Sequence, residues 1–263
     1  MLHVHSGFNI LASLRRNSDA APDLGSNLSS NDLQTIEDHI IPIFSRLNVL
    51  CSLAGRITPP VYAPTAEEDS PQEHLIDSKQ RLVEISDTCI RFIVKVSIDA
   101  ALLQIGLEIS IEQVKLQTRL DAWRDRLDEL LERMQAAGNP AKQDALNLLF
   151  VHYKVICVWL RVCTTAGEMA TDFYHTDFEE LVHYAEQIVK SGVGMAKPQP
   201  LSFKLQVLGP LYYTALKCHH PAIRRRALEL LQLAPRREGL WNAHHAYVTA
   251  TRVIELEEKH LND

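Results

Sequence analysis

Between Leu116 and Met134 the apolar residues Leu116, Leu120, Trp123, Leu127, Leu130 and Met134 recur at alternating steps of four and three. That spacing puts all of them on one face of an α-helix and does not fit the two-residue alternation of a strand. Asp121, Arg124, Asp125, Arg126, Asp128, Glu129, Glu132 and Arg133 cover the other faces, and Glu129 stands four residues before Arg133, a favourable pairing. A stripe of this kind must be buried against other helices. It points to an all-α fold, an array of amphipathic helices packed as an irregular bundle with no sheet. The same stripe could serve as a homodimer seam, but it spans under three heptads, which favours packing within one chain.

Glycine and proline separate this helix from its neighbours. Gly138 is a good left-handed terminator, and Asn139-Pro140 has the form of an N-cap followed by a first-turn proline, so an antiparallel pair is expected with Leu146, Leu149, Phe150, Tyr153, Cys157 and Leu160 on the second arm. Thr176 with Glu179 has capping-box form and should open a helix that Gly192 ends. Three shorter helices are expected next. One holds Phe203, Leu205 and Leu208, with Pro210 breaking it or starting the next turn. Another starts at Pro221, buries Ile223, Ala227, Leu230 and Leu231, and stops at Pro235. The last carries Leu240, Tyr247, Ile254 and Leu261 at heptad intervals. No internal repeat is evident.

Upstream, Ile90, Phe92, Val94, Val96 and Ile98 alternate like a strand. Leu82, Ile85, Cys89, Phe92 and Val96 satisfy helical spacing over a longer window, and length decides for a helix within 75–111. Residues 1–16 make a short apolar helix candidate, and 17–31 read as a loop. Leu33, Ile36, Ile40, Ile43, Phe44 and Leu47 again fall at helical spacing, with Ser30 or Asn31 as cap and a kink at Pro42. Between Gly55 and Pro71 lie Pro59, Pro60, Pro64 and the run Glu67-Glu68-Asp69, a linker composition. The expected organisation is N-terminal helices over 1–54, a proline-rich acidic linker over 55–74, and a helical domain over 75–263.

Charge and composition narrow the function classes. With 27 basic against 33 acidic residues the net charge is −6, so the chain as a whole offers no cationic field to nucleic acid. Cys51, Cys89, Cys157, Cys163 and Cys218 are too scattered for a disulfide framework, and reduced intracellular thiols are expected. No apolar run approaches the roughly 20 residues of a membrane helix, and Arg15 and Arg16 follow the first apolar stretch rather than precede it, unlike a signal peptide.

Searches for chemistry end in ordinary surface and core roles. Twelve histidines form no H-E-x-x-H and the cysteines no C-x-x-C. Cys218-His219-His220 reads as a buried thiol beside surface imidazoles, and Glu180-x-x-His183 as a solvated helix face rather than half of a di-iron site. Gly192-Val193-Gly194-Met195-Ala196-Lys197 follows a helix and lacks the third glycine of a phosphate loop. Arg224-Arg225-Arg226 and Arg236-Arg237 are expected on helix surfaces, pairing with acids such as Glu229 and Glu238. No catalytic, cofactor-binding, metal-binding or DNA-binding residue is assigned, and no cofactor is expected.

From Leu208 to Glu258 a series of motifs stands in order. Leu-Gly-Pro-Leu-Tyr-Tyr-Thr-Ala-Leu-Lys-Cys leads to Pro221-Ala-Ile-Arg-Arg-Arg-Ala-Leu-Glu-Leu-Leu, then Gln232-Leu-Ala-Pro, Arg236-Arg237-Glu238-Gly239-Leu240-Trp241 and Val253-Ile-Glu-Leu-Glu-Glu. This resembles the C-terminal region of fungal zinc-cluster transcription factors: a proline-led helix reaching Lys-Cys, an arginine-rich helix, and an R-R-E-G-[LM]-W corner before the last helix. Leu120-Asp-Ala-Trp123, Leu148-Leu-Phe-Val-His152-Tyr153, Phe178-Glu-Glu-Leu-Val182, Ala185-Glu-Gln-Ile188 and His5-Ser6-Gly7-Phe8-Asn9-Ile10-Leu11 are similar to further parts of such proteins, so the likeness covers nearly the whole chain.

That family reads DNA with an N-terminal six-cysteine, two-zinc cluster. Five scattered cysteines cannot supply it, so the resemblance implies a regulatory region without its own DNA-binding module, and a chain that begins where the family is already mid-domain. It also implies a nuclear location, or a cytoplasmic one for a stand-alone relative, with protein partners or a regulatory ligand, no direct DNA binding and no membrane. Two other readings stay open. One is a small-molecule-binding helical protein or enzyme with an interhelical pocket near His152, Tyr153 or Glu168. The other is a homodimeric scaffold built on the Leu116–Met134 stripe.

Overall fold

The computed structural model describes residues 30–36, 40, 75–101, 106–139, 141–165, 167–192, 207–234, 237–238 and 241–260. Its helices are α1 (Ser30–Thr35), α2 (Leu75–Ala101), α3 (Leu107–Ala136), α4 (Gln143–Val162), α5 (His175–Gly192), α6 (Leu208–Lys217), α7 (Pro221–Leu233) and α8 (Ala243–His260). A 3-10 helix, Glu168–Tyr174, runs directly into α5. The fold is all-α. Among the described residues the one departure is a two-residue antiparallel ladder of β1 (Arg237–Glu238) and β2 (Trp241–Asn242) between α7 and α8. The expected helices over 1–16 and beyond Ile40, the loop before α1 and the 55–74 linker fall outside the described residues.

The α3 stripe lies inside the molecule. Leu116, Leu120, Trp123, Leu127 and Leu130 are buried and Met134 packs at their edge, so this face is taken up within one chain and is not a dimer seam. A fully buried leucine contributes roughly 1.5–3 kcal/mol, which sets the weight of Leu120 and Leu127 here. Trp123 Nε1 donates to the Ser78 carbonyl of α2 at 2.8 Å. Gln113 Nε2 donates to the Leu160 carbonyl at 2.7 Å and to that of Arg161 at 3.3 Å, two of the four carbonyls that the C-terminus of α4 leaves open. These contacts fix α2, α3 and α4 as successive antiparallel helices.

Local signals mislead at three boundaries. Gly138 does adopt φ +70°, but Asn139 does not start α4: its N–H bonds the Met134 carbonyl at 3.0 Å while Gly138 bonds that of Gln135. Asn139 is thus the outer residue of a Schellman stop, and α4 begins four residues later, at Gln143 with Lys142 as its N-cap. Thr176 is no cap either, because the 3-10 helix feeds α5 from His175 and leaves no free helix start there. Gly106, in an extended conformation, separates α2 from α3, which therefore starts earlier than the apolar stripe alone indicates.

The later helices follow their punctuation. Pro221 is the first residue of α7, and Ile223, Ala227, Leu230 and Leu231 are buried. Pro210 sits in the first turn of α6, where its missing N–H costs nothing. In α8 the buried face is Ala243, Ala246, Ala250 and Ile254, small residues that let it approach its neighbours closely. Leu240 precedes that helix, so the expected heptad does not describe it. One continuous hydrophobic core runs from α2 to α8.

Length and composition alone would let α4 cross a bilayer, a correction to the reading that no run is long and apolar enough. More than half of its most apolar stretch is buried within the bundle.

Candidate functional site

Residues of the Leu208–Glu258 motifs converge on α6. At its N-terminus the Glu238 carboxylate, 3% exposed, accepts the Leu208 N–H at 2.8 Å. At its C-terminus Arg224, 6% exposed, donates from Nε to the Ala215 carbonyl at 2.8 Å and from a terminal nitrogen to that of Leu216 at 3.3 Å. The same guanidinium reaches Glu257 of α8 at 2.5 Å. A short helix of ten residues is therefore closed at both ends by ionisable side chains from elsewhere, a carboxyl at its N-terminus and a guanidinium at its C-terminus. The Trp241 ring packs 5.3 Å from that of Tyr212, and Cys218 is buried at the end of the helix.

Glu238 thus departs from the expected arginine pairing, because it lies inside the corner rather than on its surface. Burial, opposed by the N–H groups of Leu208 and Val207, pushes its carboxyl up from 4.5 to about 7. Arg224 also departs from the expected surface position. Its neighbours keep to the surface: Arg226 pairs with Glu229 at 2.5 Å, as expected, and with Glu186 of α5 at 2.6 Å, while Arg225 lies 3.5 Å from Glu258. Arg226, followed by Lys190, holds the Glu186 carboxyl down at about 2. Arg237 is exposed.

A cleft of about 250 Å³ opens where α2, α4, α6 and the 3-10 helix meet, walled by Ile93, Trp159, Val162, Cys163, Ala170 and Tyr213. Its polar neighbours are already engaged with the chain: Ser97 donates to the Ile93 carbonyl, Thr171 to that of Lys217, and Cys163 to that of Leu160. The volume lies just below the ~300 Å³ at which small-molecule sites usually begin. A second hollow of about 480 Å³ lies between α7 and α8 beside Ala234, His244 and Tyr247. Neither is walled by His152 or Tyr153. His152 is buried in the core, and Tyr153 stacks on Trp123 with ring centres 5.5 Å apart. The Glu168 side chain lies outside the described residues.

The other clusters separate. Cys218 is buried, His219 meets Asp172 at 2.7 Å, and His220 is the N-cap of α7. Glu180 pairs with Lys154 at 2.8 Å, whereas His183 sets its ring edge against Tyr184. No group of metal-ligating side chains comes together among the described residues. Burial raises every described thiol: Cys157 to about 11, Cys163 to about 12, and Cys89 and Cys218 upward as well, so none is poised as a thiolate. Of the Gly192–Lys197 run only Gly192 is described, as the last residue of α5.

Comparison of the chain with family profiles, with curated proteins and with solved structures finds no match.

Proposed function

We propose that this chain is a helical regulatory module of the zinc-cluster transcription-factor type, acting on transcription through contacts with a protein partner or a small effector and without catalysis of its own. The clamp around α6 carries this reading. Glu238 and Arg224 belong to the motifs on which the resemblance rests, and each makes contacts about thirty residues away that join the last three helices. Such spacing is what chains with the same helical arrangement would share, whatever DNA-reading part accompanies them. The arginine run supports the absence of direct DNA contact, since Arg224 and Arg226 already face carboxylates and the net charge is −6. The raised thiols and the carboxyl of Glu238, turned toward backbone N–H groups, support a role without chemistry.

The test is to tether the full chain to an unrelated DNA-binding domain upstream of a reporter gene in fungal nuclei. A several-fold rise or fall in transcription against the tether alone is expected. An unchanged reporter, or a salt-dependent shift of duplex DNA by the untethered chain at near-physiological ionic strength, contradicts the proposal.

A further inference from the structure

Phe173 is 87% exposed and Met169, one step of four before it on the same 3-10 helix, is 66% exposed. A benzyl side chain left almost wholly in water forgoes roughly 1.5–3 kcal/mol of burial that an apposed apolar surface would recover. The element itself is firmly seated. Thr171 Oγ1 donates to the Lys217 carbonyl at 2.7 Å, Asp172 meets His219 at 2.7 Å, and Tyr174 faces Arg161. Inward contacts therefore hold the 3-10 helix in a pose that leaves Phe173 and Met169 outward.

The cleft of about 250 Å³ lies beside them. Ala170 and Thr171, two of the three residues between Met169 and Phe173, form part of its wall, and Trp159 and Tyr213 supply aromatic faces. Ile98, 50% exposed, follows Ser97, which also lines the cleft from α2. A protruding aromatic ring and an open cleft with aromatic walls, edged by Ser97, Thr171 and Lys217, thus stand side by side on one end of the bundle. That juxtaposition is the requirement for an isologous contact, in which a two-fold axis places each copy's knob in the other's hole.

We infer that two copies of this chain associate across this end of the bundle, each inserting Phe173 into the Trp159–Tyr213 cleft of the other. The seam is distinct from the Leu116–Met134 stripe, which is buried within each copy. Phe173, Met169 and Ile98 expose roughly 400 Å² per copy, judged from the 150–250 Å² that a large side chain presents. Two copies thus remove roughly 800 Å² before the cleft walls are counted, below the usual 1,200–2,000 Å² of a stable pair. The association is accordingly weak and concentration-dependent. It stands apart from the transcriptional reading and holds whether or not that reading does.

Sedimentation equilibrium of the full chain over a wide concentration range tests it, with tryptophan emission, to which Trp159 of the cleft contributes, as a second readout. The expected result is a reversible dimer whose formation shifts tryptophan emission, with dissociation constants raised roughly tenfold or more in Phe173→Ser, which empties the knob, and in Ala170→Leu, which narrows the hole. Circular dichroism should be unchanged in Phe173→Ser, because the side chain touches little within its own copy. A chain that stays monomeric throughout overturns the inference and leaves the cleft to another apolar partner. So does a dimer that Phe173→Ser leaves intact, or one that Phe173→Ser weakens and Ala170→Leu does not.

Discussion

Arg224 and Glu238 close opposite ends of the same helix, α6, the one satisfying carbonyls at its C-terminus and the other an N–H at its N-terminus. Neither belongs to that helix, and each sits on a different neighbouring element. α6, α7, the small ladder and α8 are therefore one mechanical unit, and disturbing either charged residue should be felt across it.

Glu238 should give the fold a pH dependence. Its carboxyl titrates near 7 in the folded chain and near 4.5 unfolded, so the folded state binds the extra proton between those values. The Glu238 contribution is then full below about pH 4.5 and is lost as pH rises through about 7, by on the order of 3 kcal/mol at most. Glu238→Gln keeps an oxygen for the Leu208 N–H and should flatten this slope in urea titrations at pH 5 and pH 8. Glu238→Ala should cost about 1–2 kcal/mol at pH 5 by leaving a buried donor open.

Removing Arg224 should be costlier than removing its exposed neighbour Arg225. Arg224→Ala leaves two α6 carbonyls and Glu257 without their donor, an expected loss of about 3 kcal/mol in chemical denaturation. Arg224→Lys should rescue little of it, since an ammonium cannot serve three acceptors in a planar fork. Arg225→Ala should stay within about 0.5 kcal/mol.

At Glu186 the sign is reversed. Arg226 and Lys190 hold its carboxyl near 2, below the ordinary 4.5, so its contribution is present above about pH 4.5 and is lost as pH falls toward 2. The pair is partly open to water and screened, and Glu186→Gln should lower stability at pH 7 by about 1 kcal/mol, less in high salt. A thermal melt series at two salt concentrations measures this.

Gly138 closes α3 at φ +70°, and a methyl group added there would meet nothing within 4 Å. The cost of Gly138→Ala is therefore conformational alone, about 1 kcal/mol, and should appear as a lower denaturation midpoint with an unchanged slope.

The helical class and most core faces were legible because periodicity is local: the Leu116–Leu130 stripe and the Pro221–Leu231 face could be read from spacing and are buried. Helix starts were less legible. Asn139 and Thr176 carry good cap chemistry, yet a Schellman stop takes the first and a preceding 3-10 helix makes the second unnecessary. Glu238 and Arg224 could not be placed at all, because their partners stand 30 and 33 residues away for Leu208 and Glu257, and burial of a charge depends on what the chain brings around it. The exposed Phe173 carries no sequence signal, since a 3-10 turn between two helices has no apolar period to break.

Hydrogen exchange on the full chain tests most directly whether the signature residues build one clamped unit. In Glu238→Ala and in Arg224→Ala the amides of α6 should lose protection first, together with those of α7 and α8, while α3 and α4 keep theirs. Unchanged protection in α6, or an equal loss across the whole bundle, would contradict the clamp.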